Sequence, residues 1–428
     1  MPGLKIYTGN RLEILAGKLA QIVKSPVSGV SLPPLSQEII IVQSRGMERW
    51  LSMELARLNG ICANCRFPFP NAFLDEALNR CFPDIPITSV FDPGVMTFSL
   101  LKILPDNIDK PGFESLKRYL ADDTNDLKLF QLSEKLADIF DQYVIFRPDL
   151  IFTWEKNGED KVKPHMWQAR LWREIAGGKE NLHRASLQRA LINELRTHSP
   201  ASDRLFGRVS VFGISALPPF HMQVIEELSG ITEVNMFLLS PCMEYWADTL
   251  NDAGAARIKS KYAGEAVDEK YLHLETGNRL LASMGELGRT FFRHIISADH
   301  ELIEEYDEHE CLDMLSCLQS DILYMKERKI SDESDAFHPD AGDASIQFHS
   351  CHSPMREVEV LYDNLLAMFE DDSGLVPNDI LVMTPDIEIY APFVHAVFDT
   401  RGDNEPRIPF SVSDRSIRRE SGVVDGFL

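Results

Sequence analysis

No G-x-x-x-x-G-K-[ST] phosphate loop occurs anywhere in these 428 residues. Without it no lysine reaches a β/γ-phosphate and no following hydroxyl holds magnesium, so ATP hydrolysis is not expected of this chain. An H-E-x-x-H pair, or any other His/carboxylate spacing suited to a metal, is also missing. Positive charge is scarce: 43 Lys and Arg stand against 66 Asp and Glu, a formal net charge of −23. A nucleic-acid binder with that balance must gather its cations in a channel or lean on a basic partner. An ordinary acidic protein is compatible with the same composition. No apolar run approaches the ~20 residues of a membrane span, and the N-terminus lacks a secretory pattern, so the cytoplasm is the expected location. The seven cysteines are odd in number and scattered. They suit a reducing compartment and predict no disulfide framework. Cys62-Ala63-Asn64-Cys65 has C-x-x-C spacing but no second pair. Cys311 and Cys317 are too widely spaced for a zinc knuckle, and Cys351-His352 stands alone, so no metal is expected.

What is present is organised around residues 37–60, QEIIIVQSRGMERWLSMELARLNG. Ile39 to Val42 is a β-branched run suited to a strand buried on both faces. Gln43-Ser44-Arg45-Gly46 reads as a tight loop. From Met47 the apolar period turns helical through Trp50, Leu51, Leu55 and Leu58, and Gly60 is a natural stop. This is where a nucleotide-binding fold would place its phosphate loop, but the loop offers Gln43, Ser44 and Arg45, with Arg49 a turn later. Such groups suit a nucleic-acid backbone or a base edge.

A strand over 4–8 and a helix capped by Asn10 complete a βαβα opening, which implies an α/β fold with a parallel sheet. From Arg66 to about Arg196 the pattern is helix after helix, including residues 113–120 and 128–146. Within 165–208 eight Lys/Arg meet four Asp/Glu, a local cationic excess. Strands are expected at 208–214 and 233–239 around a helix over 218–228, then helices at 278–296 and 312–325. The acidic run between those last two, 299–310, reads as a solvated face or loop and not as a site. Residues 331–344 form the best linker candidate. From Ser345 a second α/β unit is expected, with strands at 345–350 and 380–384 and helices from Ser353 and Tyr390.

Several motifs lead nowhere. Gly213-Ile214-Ser215-Ala216-Leu217 has Leu where a nucleophile elbow needs Gly. Pro105-Asp106 with Asp126-Leu127-Lys128, and Pro148-Asp149 with Glu159-Asp160-Lys161, loosely match a PD…(D/E)xK nuclease, but among helices instead of paired strands. The group Asp138, Asp141, Gln142 and Arg147 is more suggestive. Asp accepts from an exocyclic amine, and Gln or Arg can be bidentate to a purine edge. Read alone, the group is also consistent with the polar face of an amphipathic helix.

IVQSRGMERWLSMELARLNGICAN, KLFQLSEKLADIFDQYVIFRPD, VSVFGISALPPFHMQVIEELS, LLASMGELGR and FHSCHSPMREVEVLYDNLLAMFEDD occur here in that order. In them the chain resembles the N-terminal portion of the RecC family, gamma subunits of the bacterial RecBCD helicase–nuclease (exodeoxyribonuclease V). The resemblance implies degenerate superfamily 1 helicase domains. Domain 1A would start at 1–65, a helical domain 1B fill 66–200, 1A resume with a linker at 201–344, and a truncated 2A begin at 345–428. It implies a catalytically inactive DNA-binding subunit for double-strand-break repair by recombination. Partners would be RecB-like and RecD-like subunits that use ATP and Mg2+, with single-stranded and forked DNA as ligand. Tunnel positions for the 3′ strand and its Chi sequence carry over onto Gln43, Arg45, Arg49, Phe69, Asp75, Asp138, Ile139, Asp141, Gln142, Arg147 and Arg184. Arg45, Arg49 and Asp75 depart from the small polar or aromatic residues expected there, so the sequence read would differ from the enterobacterial one. An active helicase–nuclease of AddB type and a purely structural scaffold stay open as alternatives.

Overall fold

A computed structural model describes residues 3–26, 36–84, 89–123, 126–156, 166–197, 206–249, 256, 277–296, 300–328, 336–399 and 407–414. The chain divides into two compact units, residues 1–312 with 316–338, and residues 313–315 with 339–428.

The first unit is built on a parallel sheet of six strands, β1 (Gly3–Gly9), β2 (Glu38–Ile41), β3 (Cys65–Arg66), β4 (Arg208–Phe212), β5 (Glu233–Leu239) and β6 (Glu301–Glu304). Their order is β3-β2-β4-β5-β1-β6, so β4 and β5, far along the chain, separate the first two strands. Side-chain alternation gives each strand two faces. Leu4, Ile6, Ile39, Ile41, Val209, Val211, Val234 and Met236 join one core, while Tyr7, Ile40, Val42, Phe212 and Phe237 join another. The second core is closed by α1 (Leu12–Lys24) and α2 (Arg45–Asn59) through Leu15, Leu19, Leu51 and Leu55. The first is closed by α3 (Pro70–Cys81), α9 (Arg184–Thr197), α10 (Pro219–Ser229), α11 (Arg279–Met284) and α12 (Glu286–Ile296). Fully burying each such Leu, Ile or Phe contributes about 1.5–3 kcal/mol, so two filled faces hold the sheet between helical layers.

Between β3 and β4 the chain is helical. Beside α3 and α9 it forms α4 (Pro93–Asn107), α5 (Glu114–Leu120), α6 (Leu127–Phe146), α7 (Pro148–Lys156) and α8 (Met166–Ala176). Leu136, Ala137, Phe140 and Val144 of α6 meet Met96, Leu100 and Leu104 of α4 in a separate core around Trp172. Among the described residues no helix is long and apolar enough to cross a membrane.

Several sequence expectations are corrected. Asn10 does not cap α1; its side chain exchanges hydrogen bonds with the backbone of Asp307, and Arg11 holds the cap position without a side-chain bond. The acidic run is not all loop, because residues 301–304 add to β1 as edge strand β6. The helix expected over 278–296 breaks at Gly285, where an added Cβ would lie 2.6 Å from the Leu281 carbonyl oxygen. α6 ends at Phe146, as its pattern predicts, and Pro148 then opens α7. Cys311 and Cys317 form a disulfide, a local bridge from the segment before α13 (Met314–Leu323) to the first turn of that helix and not a framework.

In the second unit α14 (Pro354–Asp371) and α15 (Ile387–Phe398) pack through Val358, Tyr362, Leu365, Val397 and Phe398. Ser353 caps α14, its Oγ accepting from the Arg356 amide. The expected strands at 345–350 and 380–384 are not formed among the described residues. A strand exists only where a neighbour takes its backbone bonds, and none is present beside these segments. Part of the predicted linker, residues 331–335, lies outside the described residues.

Candidate nucleic-acid interface

Ser44 is the N-cap of α2, its Oγ accepting from the Met47 amide at 3.1 Å. That bond ends the loop earlier than the sequence suggests and places Arg45 in the first helical turn. Gln43 is left at the tip, exposed. The Val42 amide donates to the Pro68 carbonyl at 3.2 Å, which sets the tip beside the segment leading into α3. There the Arg45 guanidinium lies 5.8 Å from the centre of the Phe69 ring. Phe69 is 37% exposed, an aromatic face available to a ligand.

One α3 turn further, Asp75 approaches Arg184, the first residue of α9, with Oδ1 and Nη2 3.9 Å apart. That is an ion pair too long for a hydrogen bond. Burial pushes the Asp75 carboxyl up; Arg184 pulls it back and Asp92 adds to the rise. Asp141 on α6 behaves alike: burial raises it first, Arg184 opposes, and Asp138 and Asp92 raise it further. Arg184 is thus shared by carboxylates from α3 and from α6, with Asp92 of the turn before α4 near both of them. Behind it lies His221 of α10, buried and bonded through Nε2 to Asn71 Oδ1 at 3.0 Å. Burial lowers its pKa to about 4, with Arg184 adding to the effect, so the ring is neutral.

Asp138, Gln142 and Arg147 are exposed along α6 and at its end, and Ile139 is half-buried beside them. Arg49 is exposed on α2. The structure therefore brings Asp75, Asp138, Asp141 and Arg184 into one neighbourhood and Arg45 onto Phe69. Among the described residues no hydrogen bond, ion pair or ring contact joins the side chains of Gln43, Arg49, Gln142 or Arg147 to either group. Asp92, Asn71 and His221 were not anticipated. Only the N-terminal position of Asp92 before Pro93 is visible in sequence, and that signals a helix start, not a site.

The cationic window is not a basic strip. Arg208 is buried at the strand ends against Glu38 and Glu233, Arg196 pairs with Glu227, Arg170 with Glu174, and Arg189 stacks on Phe152 at 3.4 Å. Neutralised in this way, most of these cations have little left for phosphates. Next to them Glu155, His183 and Ser186 have the composition of a hydrolytic triad but not its geometry. Ser186 Oγ and Glu155 Oε1 both approach His183 Nε2, at 2.9 Å each, while Nδ1 accepts from the Ser186 amide. A base cannot take a proton through a nitrogen whose own hydrogen is given to the acid.

The nuclease-like pieces do not assemble either. Lys128 pairs with Asp122 at 2.6 Å, and residues 159–161 lie outside the described residues. Among the described residues no group of three or more His, Cys, Asp or Glu could hold a metal ion. Cys62 and Cys65 are free, and burial with the neighbouring Cys62 pushes the Cys65 thiol up to about 12, which makes it a poor thiolate ligand.

Chemically, one guanidinium hemmed by carboxylates has little attraction for phosphate, whereas neutral base edges with paired acceptors suit it. Comparisons with known proteins give the chain's family. Residues 4–325 match the family model described as RecC, N-terminal domain. The chain is 36% identical over 460 residues to the RecBCD enzyme subunit RecC of Escherichia coli (strain K12), covering 99% of this chain and 40% of that protein. It is 33% identical over 482 residues to the subunit of the same name from Haemophilus influenzae, covering 99% and 42%. Against that from Mycolicibacterium smegmatis it is 29% identical over 420 residues, covering 94% and 35%. The chain spans about two fifths of the length of these relatives. It belongs to the RecC family.

Proposed function

We propose that this chain is the DNA-reading part of a non-catalytic RecC subunit in a RecBCD-type complex that processes broken DNA ends for recombination. Its α/β unit is a helicase-like domain whose motor loop no longer holds a triphosphate. ATP, Mg2+ and strand cleavage belong to RecB-like and RecD-like partners. The unpaired 3′ strand passes over the surface that carries Gln43, Arg45, Arg49, Phe69, Asp75, Asp138, Ile139, Asp141, Gln142, Arg147 and Arg184, and a Chi-like sequence is recognised there by its base edges.

The observation that carries this reading is the convergence of Asp75, Asp141 and Arg184, from three separate helices, on one spot that adjoins exposed Asp138. Carboxylates at a strand's path discourage backbone grip and favour amino-group readout. The test is a reconstituted complex carrying Asp138→Ala, Gln142→Ala or Arg147→Ala in the full-length subunit. Each lost base contact is expected to remove about 1–3 kcal/mol of discrimination, so Chi-dependent attenuation should weaken roughly 5- to 150-fold while unwinding persists. Attenuation unaltered in all three would leave a scaffold role instead.

A further inference from the structure

A shallow groove of about 520 Å³ starts at Asp92 and runs along α4 past Val95, Phe98 and Lys102. Its rim is unusually apolar for an open surface: Phe98 is 68% exposed and Phe130 of α6 38% exposed, their ring centres 6.5 Å apart. Nothing in the α4–α6 core requires these two rings, since Leu100, Leu104, Leu136 and Phe140 fill it from the opposite sides of the two helices.

We propose that the α4–α6 seam is a base-stacking platform, on which Phe98 and Phe130 take the faces of single-stranded DNA bases leaving the Arg184 neighbourhood. This rests on the reading that the neighbourhood holds DNA, and extends it to residues outside the family-derived positions. Continuity is the first support. Asp92 heads the groove and is also the carboxylate that acts on both Asp75 and Asp141. Helical phase is the second. Phe130 and Asp141 fall on nearly the same flank of α6, about three turns or roughly 16 Å apart. At about 3.4 Å or more per nucleotide, that length takes up to about five bases.

Charge then fixes which side of the strand faces the protein. Asp92, Glu134, Asp138 and Asp141 turn phosphates away from this wall, while phenyl rings accept any base by its π-face. Exposed Lys102, which has no ion pair among the described residues, stands at the far end of the groove where a phosphate can meet it.

The experiment uses the assembled three-subunit complex containing the full-length subunit, with Phe98→Ala, Phe130→Ala, the double variant, and Phe98→Trp. Affinity for an oligonucleotide duplex with a single-stranded 3′ tail is measured across a salt series. Stacking is worth about 1–3 kcal/mol per base, so each single alanine variant should bind the tail roughly 5- to 150-fold more weakly and the double variant at least about 30-fold, with an unchanged slope of log K against log salt. Phe98→Trp should retain wild-type affinity. Unchanged tail affinity in the double variant overturns the platform, and so does failure of the alanine variants to assemble, which would give the face to a protein partner. Weakened tail binding in Phe98→Ala alongside a normal Chi response in Arg147→Ala would keep the platform and remove the sequence-reading function. The converse result would do the opposite.

Discussion

His183 shows what a single residue can decide in this molecule. It is fully buried in the helical core, and burial, with Arg189 adding, lowers its pKa to about 4. Nδ1 accepts from the Ser186 amide, which places the proton on Nε2, facing Glu155. Glu155 also accepts from Trp172 Nε1 at 3.0 Å, so a neutral imidazole links two helices and the start of α9. Between about pH 6.5 and 4 the unfolded chain takes up a proton here that the fold refuses. Stability therefore falls as pH drops through that window and levels off below it. Burial raises the Glu155 carboxyl, which works the other way and offsets part of the loss. A His183→Gln variant separates the two. Across the window, the wild type should lose up to about 1.4 kcal/mol more per pH unit than the variant in urea unfolding. Parallel pH profiles for the two proteins would mean that His183 is charged in the fold.

At the scale of elements, the strands and helices with clear periods were legible: β2 and α2 from the switch between continuous and helical apolar spacing, α6 from Leu136, Phe140 and their neighbours. β6 was not, for a physical reason. Glu301–Glu304 is an exposed edge strand whose acids are answered from far along the chain, Lys5 meeting Glu301 at 3.5 Å and Lys18 meeting Glu305 at 2.7 Å. Local pattern holds no trace of such partners. The site divided in the same way. The exposed side of α6 was readable by helical phase, whereas the meeting of Arg184 with Asp75 and Asp141 depends on how α3, α6 and α9 pack. The cationic window misled because sequence cannot tell a buried arginine from a solvated one. Arg208, 3% exposed, ties β4 to β2 by a two-pronged pair with Glu38 and lies 3.8 Å from Glu233 of β5. Removing one side of such a buried pair leaves charge unanswered, so Arg208→Met should cost about 3–5 kcal/mol. Adding Glu38→Gln should return part of it. Denaturant midpoints for the single and double variants check this, and a fully additive double variant would show that the two side chains act independently.

Across the whole molecule, the net charge of −23 makes general attraction for DNA unfavourable, so any grip must be local and any cation near the strand must be placed with care. Arg184 is placed between Asp75 and Asp141, which keeps it from acting as a phosphate anchor. Removing that restraint has a measurable consequence. In the assembled complex, Asp75→Asn combined with Asp141→Asn should free Arg184 to take a backbone phosphate. Affinity for a tail of random sequence should then rise, and the slope of log K against log salt should steepen by about 0.7 for each phosphate gained on a single strand. Discrimination between a Chi-bearing tail and a scrambled one should fall at the same time, because the cation that favoured a base edge would be spent on the backbone. If the slope stays as it was while discrimination falls, the carboxylates touch bases themselves and do not act through Arg184. If neither quantity moves, the strand does not pass this spot.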